Sequence, residues 1–151
     1  MTERGAALHL SARMKRVRRT RTDLEEVVAA ALRALGVRYR RNVRSLPGSP
    51  DFANQRRGWA MFVNGCFWHG HRACRLATVP KSNTRFWTEK LAANRRRDAS
   101  KIRELRRLRF RVTLIWQCQI SGEDFATRVA SATGGSSRRE CQGHGTRRMA
   151  R

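Results

Sequence analysis

A chain of 151 residues suggests one domain with volume for a real core, and no run of apolar residues approaches the ~20 needed to span a bilayer. With 34 Lys+Arg against 11 Asp+Glu the formal charge is +23, an excess that repels itself unless a polyanion neutralises it, so nucleic acid is the expected partner and a membrane is not. The basic N-terminus lacks the apolar core of a signal peptide, so the protein is expected in the cytoplasm, where four cysteines read as metal ligands, reactive thiols or buried hydrophobes before disulfides.

Residues 1–21 form a basic arm in which Arg13, Lys15, Arg16, Arg18, Arg19 and Arg21 surround Met14 and Val17. Such an arm is either a disordered tail or a segment that orders on DNA, with Met14 as an apolar wedge. The folded domain is expected over residues 22–130. Thr22-Asp23-Leu24-Glu25 fits a capping box, and Leu24, Val27, Val28, Ala31, Leu32 and Leu35 recur at helical spacing until Gly36 stops the helix. Val37–Val43 alternates loosely and predicts a strand. Leu46-Pro47-Gly48-Ser49-Pro50-Asp51-Phe52 is turn chemistry leading into an extended segment, although Asn54, Gln55, Arg56 and Arg57 make that segment more polar than a clean strand. Trp59–Val63 predicts a short buried strand.

Residues 82–108 predict a longer helix with Trp87, Leu91, Ile102 and Leu105 on its inward stripe. Asn94 and Asp98 fall on the same stripe and need partners: either the helix end is solvated there or Asp98 points toward a site. Phe110–Trp116 is the clearest strand, with Val112, Leu114 and Trp116 on one face and Cys118 continuing it. Ser121–Ala130 predicts a closing helix, and residues 131–151, dominated by Gly, Ser and Arg, a disordered basic tail. The order helix, strands, helix, strand, helix argues for an α/β domain with a mixed sheet.

Asn64–Cys74 concentrates the chemistry, with two thiols, two imidazoles and two large aromatics. Cys66, His71 and Cys74 have C-x4-H-x2-C spacing, and Cys118 is the best fourth ligand for a closed Cys3His zinc site, ahead of Cys141 in the tail. Ordinary buried cysteines are the plainer reading. With His71 on zinc, His69 is free to take a proton from water, and Asp98 is a candidate to fix its tautomer. Asp51 follows a turn that positions it, and phosphodiester hydrolysis commonly uses carboxylates that hold Mg²⁺. Glu25 is also explained as the capping-box residue. Phe67 and Trp68 sit beside the candidate active residues, where wedging between base pairs competes with packing; Trp87 reads as core.

Gly65-Cys66-Phe67-Trp68-His69-Gly70-His71, preceded by Pro47-Gly48-Ser49-Pro50-Asp51, closely resembles the very short patch repair (Vsr) DNA mismatch endonucleases. The likeness extends to Met14-Lys15-Arg16-Val17-Arg18, Leu24-Glu25, Val79–Trp87, Asn94 through Asp98 and Phe110–Cys118, in order over roughly residues 11–120. It implies a restriction-endonuclease-like mixed sheet flanked by helices with a structural zinc site. It also implies a Mg²⁺-dependent nick in one strand of duplex DNA, 5′ to the thymine of a T:G mismatch left by deamination of 5-methylcytosine. Carried over by position, Asp51 and the main-chain carbonyl of Val63 would coordinate Mg²⁺, and Glu25 would act through metal-bound water. His69 would be the general base oriented by Asp98, and Cys66, His71, Cys74 and Cys118 would hold Zn²⁺. Met14, Lys15, Arg16, Phe67, Trp68 and Asn64 would meet the DNA, with Met14, Phe67 and Trp68 opening the mismatched step. Well-known members have Thr-His where this chain has Val63-Asn64, and Glu where it has Gln117. The resemblance also implies a bacterial, nucleoid-associated protein acting as a monomer, with other repair proteins as candidate partners. Two readings compete: a catalytically inactive zinc-containing DNA-binding relative, and a related nuclease with a different DNA substrate.

Overall fold

The computed structural model describes residues 23–134. Helix α1 spans Asp23–Ala34 and buries Val28 and Leu32 of the expected stripe together with Ala29, while Val27 and Leu35 of that stripe stay exposed, so the covered face is narrower than the apolar pattern. Gly36, at φ +64°, lets the chain reverse, and the N–H of Val37 donates to the Leu32 carbonyl at 3.0 Å. Thr22, the expected cap, lies outside the described residues, as do the arm before it and the chain after Gly134.

The strand expected over Val37–Val43 is only β1, Arg40–Arg41. Asn42 adopts φ +48°, and Val43 then donates its N–H to the Pro50 carbonyl at 3.0 Å, so the chain leaves the ladder and enters the Leu46–Asp51 turn. Strand β2 is Phe52–Asn54; the polar residues that follow form a tight turn ending at Gly58, φ +61°, which accounts for a strand of three residues. Strand β3 is Trp59–Asn64. Helix α2, Thr84–Arg107, buries Trp87, Leu91 and Leu105. Strand β4 is Arg111–Trp116. The closing helix α3 runs Phe125–Thr133 rather than Ser121–Ala130, because a 3-10 turn over Gln117–Gln119 and a further turn use up the first residues. The chain is therefore still helical past residue 130: Thr133 is 1% exposed, and Gly134 closes the helix at φ +75°.

The sheet has the order β1-β2-β3-β4, antiparallel except for the parallel β3–β4 pair. It is covered on both faces. Phe52, Trp59, Met61 and Ile115 pack against α1 and α3, while Ala53, Ala60 and Val112 pack with Leu105 of α2. The expected face of β4 (Val112, Leu114, Trp116) thus turns toward α2, but its fully buried residue is Ile115 on the opposite face. A strand with both faces covered loses the clean alternation of a half-buried one. No helix among the described residues is long and apolar enough to cross a membrane.

Candidate active site and metal centre

Asp51 is placed by antiparallel pairing. Phe52 lies opposite Met61, so the preceding Asp51 reaches the far end of β3, where its Oδ2 accepts the Val63 N–H at 2.7 Å. Burial pushes the Asp51 carboxyl up to about 6; the Val63 N–H opposes the shift, the nearby Glu25 charge adds to it, and His69 offsets part of it. Glu25, on the first turn of α1, is 4% exposed and lines the same cavity of about 470 Å³ with Asp51, Val63, Asn64 and His69.

The loop after β3 and the middle of α2 bring an imidazole and a carboxylate together. His69 Nδ1 lies 2.6 Å from Asp98 Oδ2. Burial alone would raise the Asp98 carboxyl, but the His69 hydrogen bond and charge, with Lys101 and Arg97 nearby, hold it below the usual carboxylate range. An ionised Asp98 accepts from Nδ1–H, which leaves Nε2 as the basic nitrogen of the ring. Asn94, one turn earlier, donates from Nδ2 to the Trp68 carbonyl at 3.0 Å and ties the same loop to the helix. Both polar residues on the apolar stripe are therefore satisfied by the His69 loop.

Parallel pairing builds the second cluster. Asn64 lies opposite Trp116, and Cys66 and Cys118 each follow two residues later, so both leave the sheet at the same end of the parallel pair. His71 Nδ1 is 3.5 Å from Cys66 Sγ and 3.3 Å from Cys118 Sγ, and the donor atoms of Cys66, His71, Cys74 and Cys118 all lie within 4.8 Å of one another. A tetrahedral zinc ion separates its sulfur and nitrogen ligands by about 3.5–3.8 Å, so spacing and donor chemistry both fit such an ion. Trp116 stacks flat on His71, centroids 4.2 Å apart and planes 6° from parallel, which sets the imidazole plane. Burial pushes the Cys66 thiol up to about 11, while the backbone N–H of Leu76 helps lower Cys74.

The family model for DNA mismatch endonuclease Vsr matches residues 7–75. The type II nicking enzyme V.XorIIP of Xanthomonas oryzae pv. oryzae is 42% identical over 108 residues, 72% of this chain and 79% of that protein. The type II nicking enzyme V.NmeAIP of Neisseria meningitidis is 36% identical over 110 residues, covering 73% and 78%. The DNA mismatch endonuclease Vsr of Escherichia coli is 37% identical over 117 residues, covering 78% and 74%.

The chain belongs to the Vsr DNA mismatch endonuclease family. Members of the Vsr family are DNA endonucleases, and so hydrolases, in keeping with the excess of basic residues here. In this Vsr-family chain Asp51, Val63, Asn64, Trp68, His69, Asp98 and Glu25 line one cavity, and Cys66, His71, Cys74 and Cys118 form one cluster. Phe67 and Trp68 pack edge-on against each other and against Trp87, with centroids 5.1–6.4 Å apart; Trp87 is buried and Phe86 is 46% exposed. Met14, Lys15 and Arg16 lie outside the described residues. The sequence reading missed two residues. In the sequence Trp116 shows only as one of the strand's face residues, and its place two residues before Cys118 is the available signal. Lys101 lines the cavity, and its position three residues after Asp98 was the signal there.

Proposed function

We propose that this chain nicks one strand of duplex DNA 5′ to the thymine of a T:G mismatch by Mg²⁺-dependent hydrolysis, as a cytoplasmic, nucleoid-associated monomer. The observation that carries the reading is the 2.6 Å His69–Asp98 pair in the same cavity as Asp51 and Glu25. A pure DNA-binding protein needs no oriented imidazole beside buried carboxylates. The mixed sheet flanked by helices, with Asp51 at the end of its central strands and Glu25 and Asp98 brought beside it from two helices, supports a restriction-endonuclease-like fold.

Asp51 and the Val63 carbonyl are hard oxygen donors that would hold Mg²⁺, which would neutralise phosphate charge and activate water. Asp98 fixes the His69 tautomer, and Nε2 takes a proton from the attacking water as the phosphodiester bond breaks. Glu25 orders water in the cavity from α1. Cys66, His71, Cys74 and Cys118 would hold Zn²⁺, with no position left open for chemistry, and keep the His69 loop rigid. Phe67 and Trp68, with Met14 of the basic arm, open the mismatched step, and Lys15 and Arg16 neutralise backbone phosphates. Asn64, at the end of β3, reaches the DNA backbone from the cavity wall.

The test is a nicking assay with Mg²⁺ on end-labelled duplexes, one with a T:G mismatch and one fully paired. A single nick 5′ to the mismatched thymine is expected, lost in Asp51→Ala while DNA binding survives. Nicking by Asp51→Ala at the wild-type rate would remove Asp51 from the mechanism. Binding without cleavage by the wild type would favour the inactive relative, and equal cleavage of both duplexes a different nuclease role.

A further inference from the structure

Among the described residues, the cavity that holds Asp51 is lined by three carboxylates, those of Glu25, Asp51 and Asp98, but by one permanent cation, Lys101. That is a surprising balance in a chain of 34 Lys+Arg, and the neutral Asn64 adds no charge. Before Mg²⁺ is bound, a phosphodiester entering such a wall meets repulsion unless a donor of opposite sign faces it.

Lys101 is held for that role by its stem. Gly48 has no side chain, and a Cβ built there would come within 2.8–2.9 Å of Lys101 Cβ, Cγ and Cδ. The methylenes therefore lie on the bare backbone of the turn that delivers Asp51. Gly48 is needed twice, for this close approach and for its φ of +76°. At the other end, Nζ lies 3.8 Å from Asp98 Oδ1, too far for a hydrogen bond, and the side chain is 43% exposed. The ammonium is near enough to feel Asp98 yet keeps its donors for another acceptor.

We propose that Lys101 is the phosphate-binding residue of this site, donating directly to a non-bridging oxygen of the scissile phosphodiester. The role rests on the nuclease reading above. It differs from screening of Asp98, which would act through His69 and would not require the phosphate to carry charge.

The experiment uses the full chain, its Lys101→Ala and Lys101→Arg variants, and two T:G duplexes, one natural and one with a neutral methylphosphonate at the scissile linkage. Binding is measured without added Mg²⁺, and single-turnover nicking of the natural duplex with it. On the natural duplex Lys101→Ala should lose roughly tenfold or more in both binding and nicking, and Lys101→Arg should stay within about threefold. On the neutral linkage Lys101→Ala should bind as the wild type does. An equal loss on both duplexes, or no loss on either, would overturn the assignment while leaving wild-type nicking intact. A wild type that nicks neither T:G duplex nor paired DNA would instead sink the nuclease reading, and the role of Lys101 with it. A thermal melt unchanged in both variants confirms that this half-exposed helix position has been altered without damage to the fold.

Discussion

Asp51 sits where its negative charge is least comfortable. Its carboxyl is raised to about 6 from an ordinary 3.8, first by burial and then by Glu25. A folded-state pKa above the unfolded one contributes stability that is fully present below 3.8 and lost as pH rises through about 6. Without Mg²⁺ at pH 8 the ionised carboxylate therefore costs about 3 kcal/mol. Asp51→Asn keeps an acceptor for the Val63 N–H and removes the charge. We expect it to raise the melting temperature of the Mg²⁺-free protein at pH 8, with the gain shrinking as pH falls toward 4; a variant less stable than wild type at pH 8 would refute the burial argument. Asp98 has the opposite sign: its lowered carboxyl contributes stability above the usual carboxylate range that is lost in acid. At this scale the sequence was informative wherever a residue broke a pattern. Asp98 was legible as a polar group on an apolar stripe. Lys101 carries only the weak signal of standing three residues after Asp98, because one more basic residue on a basic helix breaks no pattern.

Among the elements, the unit β3-α2-β4 organises both sites. Parallel register carries Cys66 and Cys118 to the same end of the strands, and α2 returns Asp98 to the loop that holds His69. Cys118, 47 residues from His71, is the member of the Cys/His cluster that joins the end of the last strand to the central loop. Cys118→Ser should lower zinc content, measured by atomic absorption on the purified protein, and cost on the order of 4 kcal/mol in stability. A fully loaded, equally stable Cys118→Ser protein would point to Cys141 as the fourth ligand. The long helix and the strands after Gly58 were legible because their apolar periods are strong. Strand β1 and the start of α3 were misplaced, because a positive φ at Asn42 and a 3-10 turn at Gln117–Gln119 end or delay an element without changing its hydrophobic pattern.

For the whole molecule, charge sets the encounter with DNA. The formal +23 is spread along the chain, so phosphate neutralisation and counterion release should dominate binding. A protein that neutralises about 6–10 phosphates loses about 10³–10⁵ in affinity between about 50 and 200 mM salt, and a titration by fluorescence anisotropy should show a slope of that order. A flat response would count against DNA as the partner. By itself the sequence determined the partner's charge, the helices and strands with strong apolar periods, and the clustering of Cys66, His69, His71 and Cys74, because each is a property of composition or of near neighbours. Only the tertiary structure decided that Asp98 meets His69, that Cys118 joins the Cys/His cluster, that the half-buried Asp51 carboxylate meets the Val63 N–H, and that, among the described residues, Lys101 is the cation left facing three carboxylates. Those four facts join residues far apart in the chain, and they depend on strand register and on which face of α2 the sheet covers, which local periodicity does not encode.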